Sequence, residues 1–243
     1  MANFNGILSG IKVLDFSTLL PGPLATLFLA ETGAEVIKVE RPGIGDEMRY
    51  KSPEIEGTNV SFALLNRGKK SIEIDLKDKK SFKKIYPILK KTDVIVEQFR
   101  PGVMKRLNLD YQSIKKINPK IIYVSISGYG QDGPMRGKAA FAPTVHAECG
   151  TAFAKFKHEN IKLTDFEAMK SDFSHADVYT GLEASISCLA ALNNAQKTGI
   201  GQHIDISLAA TMIAVNERAH AELSGDNDSS DEPFALSAPI SPY

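Results

Sequence analysis

The 243-residue sequence contains no tryptophan and only two cysteines, Cys149 and Cys188. Two thiols so far apart fit no metal-binding spacing, and they read as reduced structural residues of a cytoplasmic protein. No apolar run approaches the ~20 residues that a membrane span needs. The opening segment, Met1 to Gly10, has neither a basic start nor a long apolar stretch, which argues against a signal peptide. Net charge is missing too, because 29 Lys and Arg balance 29 Asp and Glu.

What remains is an ordinary globular composition, 43% hydrophobic and 24% charged. The length suits one well-buried domain, or one domain and the start of a second. The zero net charge hides an asymmetry. From Arg67 to Lys120 basic residues dominate, with Lys69, Lys70, Lys77, Lys79 and Lys80 close together. After Glu222 the tail carries Asp226, Asp228, Asp231 and Glu232 and no base. A basic half suits a polyphosphate ligand. Lys83, Lys84, Lys90 and Lys91 read more simply as a solvated helix face. No aromatic-basic interleaving accompanies the charge, so nucleic acid is not an expected partner.

Strand and helix signals alternate along the chain. Ile11–Phe16 is a short apolar run, the turn Leu20–Pro23 follows, and Ala25–Leu29 continues as a helix that Gly33 ends. Ala34–Glu40 is the next strand, completing a βαβ unit. Further strands are expected over residues 70–76, 93–99, 121–127 and 202–208. Helices are expected over 81–91, 103–107 and 111–117, over a long stretch ending at Thr198-Gly199, and over 209–223. Pro87 should kink or shorten the first of these. The long helix carries Leu182, Ile186, Leu189 and Ala190 on one face, and residues 128–176 read as the least regular part. The fold class is α/β, a Rossmann-like doubly wound parallel sheet, occupying residues 1–224, with 225–243 as a linker.

A doubly wound sheet suggests nucleotide binding, yet G-x-G-x-x-G is missing after the first strand and no P-loop is present. More specific strings stand in their place. They are K-V-L-D-F-S-T-L-L-P-G-P from Lys12, T-G-A-E-V-I-K-V-E-R-P-G from Thr32, and N-R-G-K-K-S-I-E-I-D-L-K from Asn66. D-V-I-V-E-Q-F-R-P-G-V from Asp93, N-P-K-I-I-Y-V-S-I-S-G-Y-G-Q-D-G-P from Asn118 and T-G-I-G-Q-H-I-D-I-S-L from Thr198 follow in order. Together they closely resemble the family III CoA-transferases (CaiB/BaiF type, the group of the formyl-CoA and carnitine CoA-transferases).

The resemblance implies covalent catalysis, in which an aspartate takes the acyl group from a CoA thioester and CoA passes to a small carboxylic acid. Asp177, in H-A-D-V-Y-T-G-L, stands at the matching position; as a residue alone it also reads as a helix N-cap. Asp172 is the rival carboxylate, at a spacing that does not match. For CoA the resemblance points to Arg41, Ile74, Lys77, Gln98, Phe99, Arg106 and Phe141. Arg and Lys would neutralise the CoA phosphates and an apolar face would take the adenine. CoA is then a substrate, with no tightly bound cofactor and no metal. A related branch racemises 2-methylacyl-CoA with a histidine where this chain has Phe141, which cannot move a proton. His146 and His175 lie nearby but off that motif. Relatives carry a further, smaller domain and interlock as homodimers, so the chain reads as C-terminally truncated, and a CoA-binding chain without activity is the remaining alternative.

Overall fold

The computed structural model describes residues 6–51, 53–158 and 174–216. Its centre is a six-stranded, wholly parallel sheet. The strands are β1 (Lys12–Asp15), β2 (Glu35–Glu40), β5 (Lys70–Glu73), β6 (Val94–Glu97), β7 (Ile122–Ser127) and β8 (Gln202–Ser207). The short pair β3 (Glu54–Ile55) and β4 (Thr58–Asn59) forms a separate hairpin. Strands buried on both faces read as continuous apolar runs, and every residue of β7 is buried. The spatial order is β5-β2-β1-β6-β7-β8. That is the order of dinucleotide-binding sheets, in which ligands settle where the winding reverses, here between β1 and β6.

Two layers of helices cover the sheet. On one face, α1 (Pro21–Glu31), α6 (Ala142–Glu148), α8 (His175–Thr198) and α9 (Leu208–Val215) enclose Val13, Val36, Val94, Val96, Ile122 and Val124. On the other, α3 (Lys79–Leu89), α4 (Val103–Arg106) and α5 (Tyr111–Lys115) cover Leu14, Ile95, Ile121 and Tyr123. The short α2 (Val60–Asn66) and α7 (Thr151–His158) complete the set. Pro87 falls in the last turn of α3, where it cannot donate to the carbonyl four residues back, and the helix ends two residues later. Gly199 closes α8 in the left-handed conformation, φ 74°.

Three expectations change. Among the described residues of the segment 128–158 there are two helices, α6 and α7, which short Ala- and Thr-rich segments do not signal by periodicity. The strand over 70–76 pairs only to Glu73. The apolar face of α8 points outward: Leu182, Ile186, Leu189 and Ala190 are exposed, whereas Gly181, Ala184, Ser185, Cys188 and Ala191 are buried. Small residues face inward because α8 packs closely on α1. Asp172, the acidic tail and the linker 225–243 lie outside the described residues, as does the part of the helix expected over 209–223 that follows residue 216; α9 ends at Val215.

Candidate active site

The loop from β1 to α1 is the first wall of the site. Pro21 and Pro23 offer no N–H, and Leu20 at the N-cap makes no side-chain hydrogen bond. Gly22 therefore carries a lone donor in this turn, and its N–H donates to Gln98 Oε1 at 3.0 Å. This bond crosses the switch point from β1 to the exit of β6. A Cβ on Gly22 would lie 2.1 Å from the Ser17 Cβ of the same loop and 3.0 Å from Gln98 Oε1, so only glycine fits here.

Beneath that wall lies a buried ionic network. Lys38, 1% exposed, donates to the Ser17 carbonyl at 2.7 Å and pairs with Asp46 at 2.8 Å. Asp46 accepts from the backbone N–H groups of Leu19, at 3.0 Å, and Met48, at 2.9 Å. Lys69 donates to Asp15 at 3.1 Å, and Thr26 Oγ1 donates to the same carboxylate at 2.6 Å. Burial acts to raise the Asp15 pKa, but Lys38, Lys69 and the Ser17 and Thr26 hydroxyls together hold it well below the carboxylate range. Glu40 is held at about 2, where burial is outweighed by Arg49, Ser71 and the Asp46 N–H. Because each buried charge has a partner, the network can stay ionised without solvent. Its effect is to clamp the β1–α1 loop to the segment after β2. Leu19 takes a left-handed backbone there, φ 63°.

Two cavities open along the carboxyl ends of the strands. The first, about 480 Å³, is lined by Arg41, Ile74, Lys77, Phe99 and Arg106 among others. The second, about 280 Å³, is lined by Gln98, Phe99, Phe141 and Asp177, together with Leu19, Arg100 and Lys138. Thr18, Glu47 and Phe99 belong to both, so the two form one trough across the switch point. All eight residues singled out in the sequence line it. Arg41, Lys77 and Arg106 are exposed and make no ion pair among the described residues, whereas the acidic neighbours Glu40 and Asp46 are already paired. The first cavity thus presents Arg41, Lys77 and Arg106, with the Glu47 and Asp75 carboxylates also on its lining, beside the apolar side chains of Ile74 and Phe99. Gln98 has its amide oxygen engaged by Gly22, which leaves its NH₂ group for a ligand. Phe99 is held from behind, its N–H donating to Glu97 at 2.9 Å. Burial and the nearby Asp205 raise Glu97 to about 7, against the Ser125 and Phe99 hydrogen bonds.

Asp177 stands in the first turn of α8, third residue after the N-cap Ser174, and is not itself the cap. Its carboxyl is pushed up to about 6 by burial. One turn later Gly181 allows α8 to approach α1: a Cβ there would lie 2.8 Å from the Pro21 carbonyl oxygen. The same close contact seats Asp177 against the β1–α1 loop. His146, 3% exposed on α6, accepts the N–H of Ala176 through Nε2 at 3.0 Å. His175 lies with its ring centroid 6.0 Å from that of His146 and stacks on Tyr179.

With the geometry in place, comparison with known proteins is decisive. The profile of CoA-transferase family III matches residues 8–239. The chain belongs to CoA-transferase family III. A human succinyl-CoA:glutarate CoA-transferase is 39% identical over 208 residues, which is 85% of this chain and 46% of that protein. An acetyl-CoA:oxalate CoA-transferase from Acetobacter aceti is 35% identical over 88% of this chain and 54% of its own length. The crystal structure of a CaiB/BaiF family protein from Brucella suis superposes with a TM-score of 0.80 at 33% identity, covering 93% of this chain and 59% of that one. The chain therefore spans about half the length of the curated relatives it matches.

Against this family III background, several site residues escaped the sequence reading. Arg100, Lys138, Glu47 and Leu19 line the trough, and Lys38 and Asp46 hold its walls; His146, which the sequence shows only as a histidine off the family motif, bonds the Ala176 N–H. A signal existed for the ionic network: Asp15 ends the apolar pair Val13-Leu14 and Lys38 sits between Ile37 and Val39, where an unpaired charge would be untenable. None existed for His146, whose partner lies 30 residues away.

Proposed function

We propose that this chain supplies the CoA-binding region and the nucleophile of an enzyme that moves CoA from an acyl-CoA to a small carboxylic acid. The observation that carries the reading is the placement of Asp177 in a trough whose other arm is lined by unpaired Arg41, Lys77 and Arg106. Guanidinium and ammonium groups would hold the CoA phosphates, Ile74 and Phe99 would face the adenine, and the thioester would enter the second cavity. Phe141 and the NH₂ group of Gln98 line that end.

The chemistry then needs no proton relay. The Asp177 carboxylate attacks the thioester carbonyl, the C–S bond breaks, and CoA leaves as thiolate from an acyl-aspartyl anhydride. The thiolate attacks the aspartyl carbonyl and expels the first acid. The incoming acid attacks the aspartyl thioester, releasing CoA thiolate, which takes the new acyl group and restores Asp177. Each step exchanges one oxygen or sulfur nucleophile for another, so atoms and charge balance. A half-buried carboxylate titrating near 6 is ionised at neutral pH yet more basic than an exposed one, which favours attack. The glutarate and oxalate named for the relatives make a dicarboxylic acid the first acceptor to try.

The racemase alternative requires a base beside the acyl α-carbon. Phe141 stands where that branch has its histidine, and His146 Nε2 already accepts a backbone N–H. The domain assignment, 1–224 with a linker over 225–243, belongs to the same proposal, as do a cytoplasmic location, consistent with two free thiols, and a homodimer. The exposed row Tyr179, Leu182, Ile186 and Leu189 on α8 supports the homodimer, since burying each such side chain stabilises by roughly 1.5–3 kcal/mol.

The test is an exchange assay on the full gene product with a panel of acyl-CoA and acid pairs, read by mass spectrometry of the thioesters. New thioester that depends on both substrates and disappears in Asp177→Ala supports transfer. Solvent deuterium entering a 2-methylacyl-CoA without any acid, and surviving Asp177→Ala, would establish the isomerase instead. CoA binding without turnover of any pair would leave a binding chain.

A further inference from the structure

We propose that His146 is a positioning residue that sets the distance between the nucleophile Asp177 and the opposite wall of its cavity at Phe141. This rests on Asp177 being the nucleophile, as argued above. The two sides of that cavity come from different helices. Phe141 is the N-cap of α6 and lines the cavity, while Asp177 lies in the first turn of α8. A side-chain hydrogen bond joins them. His146, one turn into α6 and 3% exposed, accepts the Ala176 N–H with Nε2 at 3.0 Å, and Ala176 immediately precedes Asp177.

This bond does what the local sequence of α8 leaves undone. The first N–H groups of a helix need acceptors from outside it. Ser174 occupies the N-cap but makes no side-chain hydrogen bond, so the acceptor at Ala176 comes from another helix. Its chemistry also matters. An aspartate in this place would set a second negative charge beside Asp177 and oppose its ionisation. An imidazole that accepts through Nε2 carries its proton on Nδ1 and is uncharged, so it satisfies the N–H without that repulsion.

The helix that carries His146 is well placed to act as a strut. Ala142 and Val145 are buried in the core formed with α8 and α9. The far end of α6 is tied to α9, where Asn216 Nδ2 donates to the Cys149 carbonyl at 3.2 Å. Any change in the His146–Ala176 distance must therefore appear as a shift of the α8 amino end, with Asp177 on it, relative to Phe141. Misplacement of a reacting group by about 1 Å costs on the order of 100-fold in rate.

The experiment compares His146→Leu and His146→Gln in the full gene product. Leucine keeps the bulk and removes the acceptor, whereas the Gln side-chain oxygen reaches the place of Nε2. Exchange kinetics, CoA affinity by calorimetry and thermal melting are measured on each. The proposal predicts that Leu lowers kcat by about 10- to 100-fold with the Kd for CoA within twofold, and that Gln recovers most of the loss. Should the Leu variant fail to fold, His146→Asn serves in its place, because its amide is too short to reach Ala176. Unchanged kcat in the Leu or Asn variant overturns the proposal. Equal losses in Gln and Leu, tracking melting temperature, also overturn it by reducing His146 to a packing role. If instead Asp177→Ala retains full transfer, the nucleophile assignment is what fails, whatever His146 does.

Discussion

Asp177 differs from the other carboxylates of the trough in having burial without a cation to offset it. Burial alone pushes its titration to about 6, above the range of a free aspartate. Only the ionised form can attack a thioester. Transfer measured as kcat/KM should therefore rise with pH, with unit slope, up to about 6 and then level off; a profile flat down to pH 4.5 would exclude Asp177 as the titrating nucleophile. Stability carries the opposite sign. The folded chain holds this proton more tightly than the unfolded one, so its contribution to stability falls as pH rises from about 4 to about 6. Asp177→Asn should accordingly melt higher than the parent at pH 7.5, by an amount that vanishes near pH 4. The cations of the other arm make a separate prediction. Arg106→Ala or Arg41→Ala should each weaken CoA binding by about tenfold, and less so at high salt, since each removes a charge-assisted contact to phosphate. Calorimetry at two ionic strengths checks it, and a salt-independent loss would point to packing instead.

At the scale of elements, the chain's periodicities translate well into strands and helices because parallel strands buried on both sides must be apolar throughout. The strings around β6 and β7 show this most clearly, whereas β8, at the sheet edge, keeps Gln202, His203 and Asp205 exposed. The helix α8 shows why the orientation of an element is harder to read. Its large apolar residues suggest an inward stripe, but the inward face is the small one, because Gly181 and Ala184 permit close contact with α1. A pattern of hydrophobicity reports which residues share a face, and not which neighbour that face meets. The close contact has a measurable consequence. Gly181→Ala would force its Cβ to 2.8 Å from the Pro21 carbonyl, so the helices must part. We expect a loss of about 1–3 kcal/mol in stability, as for other overpacked contacts. A fall in kcat larger than the change in CoA affinity should accompany it, because Asp177 moves with α8. Melting and exchange kinetics of this variant measure both effects, and wild-type kcat would show that Asp177 tolerates the shift.

Across the whole molecule, the site is a product of topology. Arg41 and Asp177 lie 136 positions apart in sequence, and the winding of the sheet brings them to one trough at the reversal between β1 and β6. Eight residues of that trough were singled out because their strings resemble those of a family, whereas Leu19, Glu47, Arg100 and Lys138 on the same lining were not. Nor were the supports behind them. The Gln98–Gly22 bond and the His146–Ala176 bond join residues 76 and 30 positions apart, and no local pattern announces such pairs. The account as a whole stands on one covalent event, the acylation of Asp177. The most direct measurement is to incubate the full gene product with succinyl-CoA or acetyl-CoA, quench with hydroxylamine, and map the modified peptide by mass spectrometry. The prediction is a hydroxamate on Asp177, formed only with thioester present and absent from Asp177→Ala. Thioester turnover with Asp177 unmodified, or with a hydroxamate on another carboxylate, would contradict it.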